Sequence, residues 1–171
     1  SGRVLDEVLT LVLDSAIDSV KADRGFIMLA EPHGALEFKV ARSRGGVSIP
    51  GTTFATSEKI PREVFSTGLG RIVQDLLDAD FADSHGGTIA AGIRHVQCVP
   101  LRVAAMGELG SAGTPKQIGV LYLDGRERGT MTSPSTAASL EAFAAQAAMA
   151  IESARLYAAS AEKARTERDL R

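Results

Sequence analysis

Few residues of this chain could do chemistry. Its single cysteine, Cys98, lies in the run Gln97-Cys98-Val99-Pro100, three positions after His95. A nucleophilic or redox thiol needs an activating neighbour that lowers its pKa. On a regular strand an odd offset puts His95 and Cys98 on opposite faces. The spacing therefore argues against a Cys–His pair and for a buried thiol that behaves as a small apolar side chain. One thiol also rules out a disulfide within the chain and a multi-thiolate zinc or iron–sulfur site. A second constellation, Asp75, Asp78, Asp80, Asp83 and His85, could meet a cation. A calcium loop needs oxygen ligands at fixed offsets and a closing acid. Ala82 and the glycines after His85 break that series, so it reads as a solvated loop face.

These residues must be held by elements, and the hydrophobic periodicity names them. Leu5, Val8, Leu9, Val12, Ala16 and Val20 recur at steps of three and four, which predicts an amphipathic helix over 3–21. Phe26 to Ala30 is a short apolar run closed by Glu31-Pro32-His33-Gly34. Its length and punctuation predict a strand buried on both faces. Leu36, Phe38 and Val40 then alternate with Glu37, Lys39 and Ala41, so the two runs read as a hairpin with a four-residue connection. Residues 43–57 read as a loop. A short helix follows, with Ser57 as N-cap and Gly68 as its stop. Arg71 to Gln74 reads as a brief strand, and 75–92 as a long surface segment of the kind that often carries function. Arg94 to Val103 and Gln117 to Asp124 are the strongest strand runs, joined by a Gly-rich loop from Ala105 to Pro115.

From Ser133-Pro134, an N-cap with proline at the first helical position, the chain reads as helix to its end. Leu140, Phe143, Ala144, Ala147, Ile151, Ala154, Ala158 and Ala161 trace an apolar stripe, and after Glu162 nearly every residue is charged. At 1.5 Å per residue such a helix is about 58 Å long. A chain of this size folds to a body only roughly 30–40 Å across, so the tail is expected to protrude. An isolated projecting helix is marginal in water, and a parallel copy of itself is the simplest partner.

Composition sets the class. The 171 residues are 44% hydrophobic and 23% charged, close to the globular average, and bury roughly 70% of their unfolded surface as one domain. The net charge of −2 and the lack of tryptophan are a poor match for a nucleic-acid binder, which needs a basic footprint or stacking aromatics. No signal-peptide pattern opens the chain. The Ala-rich stretch 140–151 is interrupted by Glu141 and Gln146 and is too short for a membrane span. Neither nucleic acid nor membrane is expected as a partner, and the cysteine usage fits a reducing, cytoplasmic setting. The opening without Met, and an end inside a charged helical run, point to a piece of a longer protein.

Four runs carry a resemblance. They are Ala22-Asp23-Arg24-Gly25-Phe26-Ile27-Met28-Leu29, then Gly92-Ile93-Arg94-His95-Val96-Gln97-Cys98-Val99-Pro100-Leu101, then Ile118-Gly119-Val120-Leu121-Tyr122-Leu123-Asp124, and finally Phe143 through Tyr157. In this order and spacing they resemble a GAF domain, the small-molecule-sensing module of cyclic-nucleotide phosphodiesterases, phytochromes and bacterial signalling proteins. The resemblance covers about residues 4–157. It implies an α+β fold: a central antiparallel sheet, the first and last helices on one face, and a ligand pocket on the other under the long loop and short helix. It divides the chain into a GAF domain over 3–157 and the start of a signalling, coiled-coil helix over 158–171.

Matching the family's pocket places Ile60 on the short helix, Phe81 on the long loop, Ile89 and Ile93 before the central strand, and Cys98 within it. Arg94 is the nearby cation that could meet an anion; its plain alternative is a surface residue beside the acidic loop. A mainly apolar lining fits a small hydrophobic or aromatic ligand, or none. The Asn-Lys and Phe…Asp-Glu pattern of cyclic-nucleotide binders is absent: the matching positions hold Asp124-Gly125, Met131 and Ser135-Thr136. Bilin attachment would need a thiol at the chromophore positions, and no Cys-His dipeptide exists. His95 matches the region where a few relatives ligate haem, but no cofactor or metal is expected. The reading that follows is a non-catalytic bacterial sensory module, dimeric through its terminal helices. Its output domain would lie beyond Arg171: a kinase, phosphatase, cyclase or transcription activator. Two alternatives stand beside it. One is a methionine-sulfoxide-type thiol reductase using Cys98. The other is a degenerate module that only holds a dimer.

Overall fold

A computed structural model of the chain describes residues 2–50, 58–77, 92–104, 113–127 and 134–170. The elements are α1 (Gly2–Val20), β1 (Arg24–Ala30), β2 (Leu36–Ser43), β3 (Val47–Ser48), α2 (Lys59–Thr67), β4 (Arg71–Val73), β5 (His95–Val103), β6 (Lys116–Gly125) and α3 (Pro134–Asp169). The strands form one six-stranded sheet in the order β3-β2-β1-β6-β5-β4, and every neighbouring pair is antiparallel.

The strand sequences explain that order. β1, β5 and β6 are apolar almost without interruption, and all three sit inside the sheet with both faces covered. β2 carries polar residues that meet solvent, and the edge strand β4 exposes Ile72. On one face α1 and α3 pack together: Leu9, Leu13, Ala16 and Ile17 of α1 meet Leu140, Ala144, Ala147 and Ile151 of α3 above Ile27, Leu121 and Leu123. On the other face the short α2 covers Phe26, Met28, Val96, Cys98, Val120 and Tyr122 through Ile60 and Val64. The core thus has two halves separated by the sheet.

Two bulges set which face a side chain takes. Ile27 pairs with Val40 and Met28 with Phe38, leaving Lys39 extra. The extra residue reverses the alternation downstream: Leu36 and Phe38 pack on the α2 side while Val40 packs on the α1/α3 side. The simple alternation expected for this strand therefore holds only up to Lys39. Likewise Leu101 pairs with Gly119 and Arg102 with Gln117, so Ile118 is bulged and joins Leu121 and Leu123 on the helical side.

The hairpin linking β1 and β2 closes over 31–35, one residue longer than expected, through hydrogen bonds from Glu31 N–H to the Ala35 carbonyl and from Gly34 N–H to the Glu31 carbonyl, both 2.8 Å. The expected loop at 43–57 contains the edge strand β3. Gly45 and Gly46, with φ of 89° and 74°, turn the chain back on the end of β2. α2 begins at Lys59 with Glu58 at the N-cap and ends at Gly68, whose φ of 70° is the left-handed stop read from the sequence. The proposed cap Ser57, like Ser133 before α3, lies outside the described residues. Gly119 has a different reason to be glycine: a β-carbon there would stand 2.2 Å from the Met28 carbonyl oxygen.

Polar ties orient the layers. Arg42 of β2 grips Asp14 of α1 with two hydrogen bonds of 2.9 and 2.8 Å. Inside the sheet, Arg24 of β1 reaches across to Asp124 of β6 with its Nε at 2.8 Å and its Nη2 at 3.0 Å. Asp124 is fully buried. Burial pushes its carboxyl pKa up, and Arg24 and a hydrogen bond from Tyr122 oppose that shift.

Candidate functional site

The candidate site read from the sequence falls on the α2 side of the sheet, where aromatic side chains dominate the packing. Phe26 of β1 and Tyr122 of β6 occupy adjacent strands. Their rings stack with centroids 4.3 Å apart and planes 13° apart. Phe38 of β2 meets Phe26 edge-on at 4.9 Å. Offset stacks and edge contacts of this kind add to the burial of the rings themselves. Ile60 and Val64 of α2 close over the cluster, and Ile93 enters it just before β5.

Three of the residues assigned to a pocket from the sequence meet here. Ile60, Ile93 and Cys98 belong to one buried cluster, each at most 3% exposed. Phe81 and Ile89 lie outside the described residues, as do Asp78, Asp80, Asp83 and His85 of the acidic segment. Among the described residues no group of three or more His, Cys, Asp or Glu side chains stands close enough to hold a metal.

Arg94 does not stand free. Its guanidinium forks onto Asp75, Nε to Oδ1 at 3.0 Å and Nη2 to Oδ2 at 2.9 Å. This hydrogen bonding raises the arginine pKa further above its ordinary value, so the cation persists throughout the working pH range. The same carboxylate accepts from Leu77 N–H at 3.0 Å, and Leu76 N–H donates to the Arg94 carbonyl at 2.6 Å. The pair thus joins the chain just after β4 to the chain just before β5. Sequence reasoning read each residue separately; the signal available was one buried-side acid and one cation at the two ends of a single long connection.

Cys98 is sealed, with no exposed surface. Burial pushes its thiol pKa well up, so the thiolate that nucleophilic or redox chemistry requires is suppressed. His95 is buried as well, but its ring lies against Gly125 and its Nδ1–H donates to the Glu127 carbonyl. Along β5, Val96 and Cys98 pack on the α2 side and Val99 and Leu101 on the α1/α3 side, and with no register shift before Leu101 His95 shares the parity of Val99, opposite Cys98. The His95 Nε2 is buried without a hydrogen-bond partner among the described residues.

The helical face presents a second feature. Val4, Leu5 and Val8 of α1 and Ala150, Ala154 and Tyr157 of α3 line an apolar groove of about 420 Å³. Val4 is 58% exposed and Tyr157 70% exposed. α3 loses its packing at this point: Ile151 is its last buried residue, and from Arg155 to Leu170 every residue is exposed. No helix among the described residues is long and apolar enough to cross a membrane.

The comparisons with known proteins agree with this architecture. The family model described as GAF domain matches residues 4–151. Among solved structures, the GAF3 domain of a Synechocystis protein in its photoproduct state superposes with a TM-score of 0.70 at 19% identity, covering 90% of this chain and 97% of that one. A domain of a protein named as a two-component sensor histidine kinase from Sinorhizobium meliloti gives 0.63 at 21% identity, covering 90% and 94%. A methyl-accepting chemotaxis protein, over its residues 122 to 287, gives 0.62 at 20% identity, covering 90% and 92%. At these identities the likeness speaks for the fold. No curated protein sequence matches the chain.

Proposed function

The chain belongs to the GAF domain family, and from that premise we propose that it is a non-catalytic sensory module of a bacterial signalling protein. It works in the cytoplasm without a resident cofactor. Residues 3–157 form the sensing domain and 158–171 begin the helix that carries its signal. The observation that carries this reading is the course of α3. That helix starts as part of the core, loses its packing after Ile151, and continues as an exposed, charged rod beside an apolar groove. A rod of this kind reports on the body only if something holds it, and a second copy of the same two helices supplies an equal apolar face. The groove formed by α1 and α3 therefore pairs two subunits, and an output domain follows Arg171. The likeness to domains of a sensor histidine kinase and a chemotaxis protein supports a kinase or a comparable effector in that place.

The ligand site is the cluster around Ile60, Ile93 and Cys98, completed by Phe81 and Ile89, with Arg94 at its margin. Its described lining is apolar and aromatic, which suits a small hydrophobic or aromatic molecule. The sealed, high-pKa Cys98 supports a packing role over a thiol reductase. A ligand shifts the helix pair only through its differential affinity for two arrangements.

Sedimentation of the purified chain across a concentration series tests the dimer. A reversible dimer weakened by Val8→Glu and by Tyr157→Glu is expected. A monodisperse monomer at millimolar concentration, with α3 mobile beyond Ile151 by NMR, overturns it. A thermal-shift screen against small aromatics and nucleotides tests the site. A ligand at 100 times its Kd adds about 2.7 kcal/mol, and silence across a broad library leaves only the scaffold role.

A further inference from the structure

The sheet opens at the end where β1 runs out and β6 begins. A cleft of about 610 Å³ lies there, within the range of small-molecule sites. Leu29 and Ile118 line its apolar interior, and Phe65 at the end of α2 stands over it. These side chains come from both halves of the core: Leu29 and Ile118 pack with the α1/α3 half and Phe65 with the α2 half. Its charged lining is Lys116 of β6, Arg155 of α3 and Glu31 of the β1–β2 turn, and Gln117 adds an amide. Among the described residues neither Lys116 nor Arg155 forms an ion pair. Two cations facing one carboxylate leave a net positive charge beside an apolar, aromatic cavity.

Arg155 also has a telling position on its helix. It lies four residues after Ile151, about one turn further along the helix, and opens the stretch of α3 in which every residue is exposed. Any group that binds Lys116 and Arg155 together ties the sheet to α3 where the helix leaves the body. We propose that this cleft is a second ligand site, separate from the α2-side cluster, that takes a small aromatic carboxylate: the ring between Leu29, Ile118 and Phe65, the carboxylate between Lys116 and Arg155. Occupancy clamps the exit point of α3. This goes beyond the sensory reading above, because it holds whether or not the α2-side cluster binds anything.

The test uses 2-naphthoate as probe, with 2-naphthamide as its neutral isostere, by calorimetry and by amide NMR shifts on the intact chain. The expected result is binding of 2-naphthoate with shifts concentrated at Leu29, Ile118 and Arg155, and at least tenfold weaker binding of 2-naphthamide. Lys116→Glu and Arg155→Glu should each weaken 2-naphthoate at least tenfold, while Glu31→Gln tightens it. All three side chains are on the surface rim, and an unchanged circular dichroism spectrum confirms that the variants fold. No binding of 2-naphthoate at millimolar concentration, equal affinity for the amide, indifference to Arg155→Glu, or shifts centred on Ile60 and Ile93 would each overturn the proposal. Failure of the dimer in sedimentation would leave these outcomes untouched, so the two readings fail separately.

Discussion

The two faces of the sheet are built from different materials. On the α2 side, bulk comes from rings: Phe26, Phe38 and Tyr122 interlock beneath one short helix. On the other side, bulk comes from two long helices, and the residues where α3 meets the core are small, with Ala144, Ala147 and Ala148 buried beside Leu140 and Ile151. Small side chains let helices approach closely but bury little area each, at roughly 25 cal/mol per Å². The aromatic face is therefore suited to enclosing something, and the alanine face to letting a helix settle in more than one position at low cost. The sensing role proposed above would use both properties, on opposite sides of one sheet.

The contrast can be broken by opposite substitutions. Phe26→Ala removes a fully buried ring from the aromatic stack and should cost about 3–5 kcal/mol, measured by urea unfolding. A loss below about 1 kcal/mol would mean that the α2 side is loosely packed and its enclosing role misread.

Arg24→Ala probes the ion pair that joins β1 to β6. It strands the buried Asp124 carboxylate, at a cost of about 3–5 kcal/mol near neutral pH. The dependence on pH has a definite sign. With Arg24 gone, burial raises the Asp124 pKa unopposed by its main partner, so the folded state binds a proton that the unfolded chain has released. Stability of the variant should then fall as pH rises above about 3.9, the unfolded value, and Arg24→Ala with Asp124→Asn should flatten that slope. A pH-independent deficit would show that Asp124 is not the group left uncompensated.

The smallest effect belongs to the helical face. Ala147 has no exposed surface, so Ala147→Leu overfills the α1–α3 contact and should cost about 1–3 kcal/mol. If α3 shifts to make room, the loss will sit at the low end, and the dimer measured by sedimentation will change more than the melting temperature does. An unchanged dimer with the full loss would show the helix contact to be rigid.

Much of this was legible in the residues. The long apolar runs of β1, β5 and β6, the amphipathic period of α1, the glycine stop at Gly68 and the charged end of α3 all depend on local pattern, and each element appears where its pattern lies. The opposite-face relation of His95 and Cys98 followed from strand parity alone. The edge strand β3 was missed because two residues carry no periodicity; a double-glycine turn and a neighbouring strand make it. The face of Val40 was misassigned because a bulge at Lys39 is a property of the pairing with β1. Of the candidate site, Ile60, Ile93 and Cys98 were named from a family match and share one cluster, whereas the aromatic stack of Phe26, Tyr122 and Phe38 was not foreseen, since its members are distant in the chain.

The order of residues by itself determined where the long helices and strands lie and which strands must be buried on both faces. Tertiary structure alone decided which distant side chains met, Arg24 with Asp124 and Arg94 with Asp75, and that Arg155 and Lys116 line one cleft. The reason is physical. Periodicity and capping act over a few residues, while desolvation and charge pairing depend on which distant side chains the folded sheet brings within a few ångströms of one another.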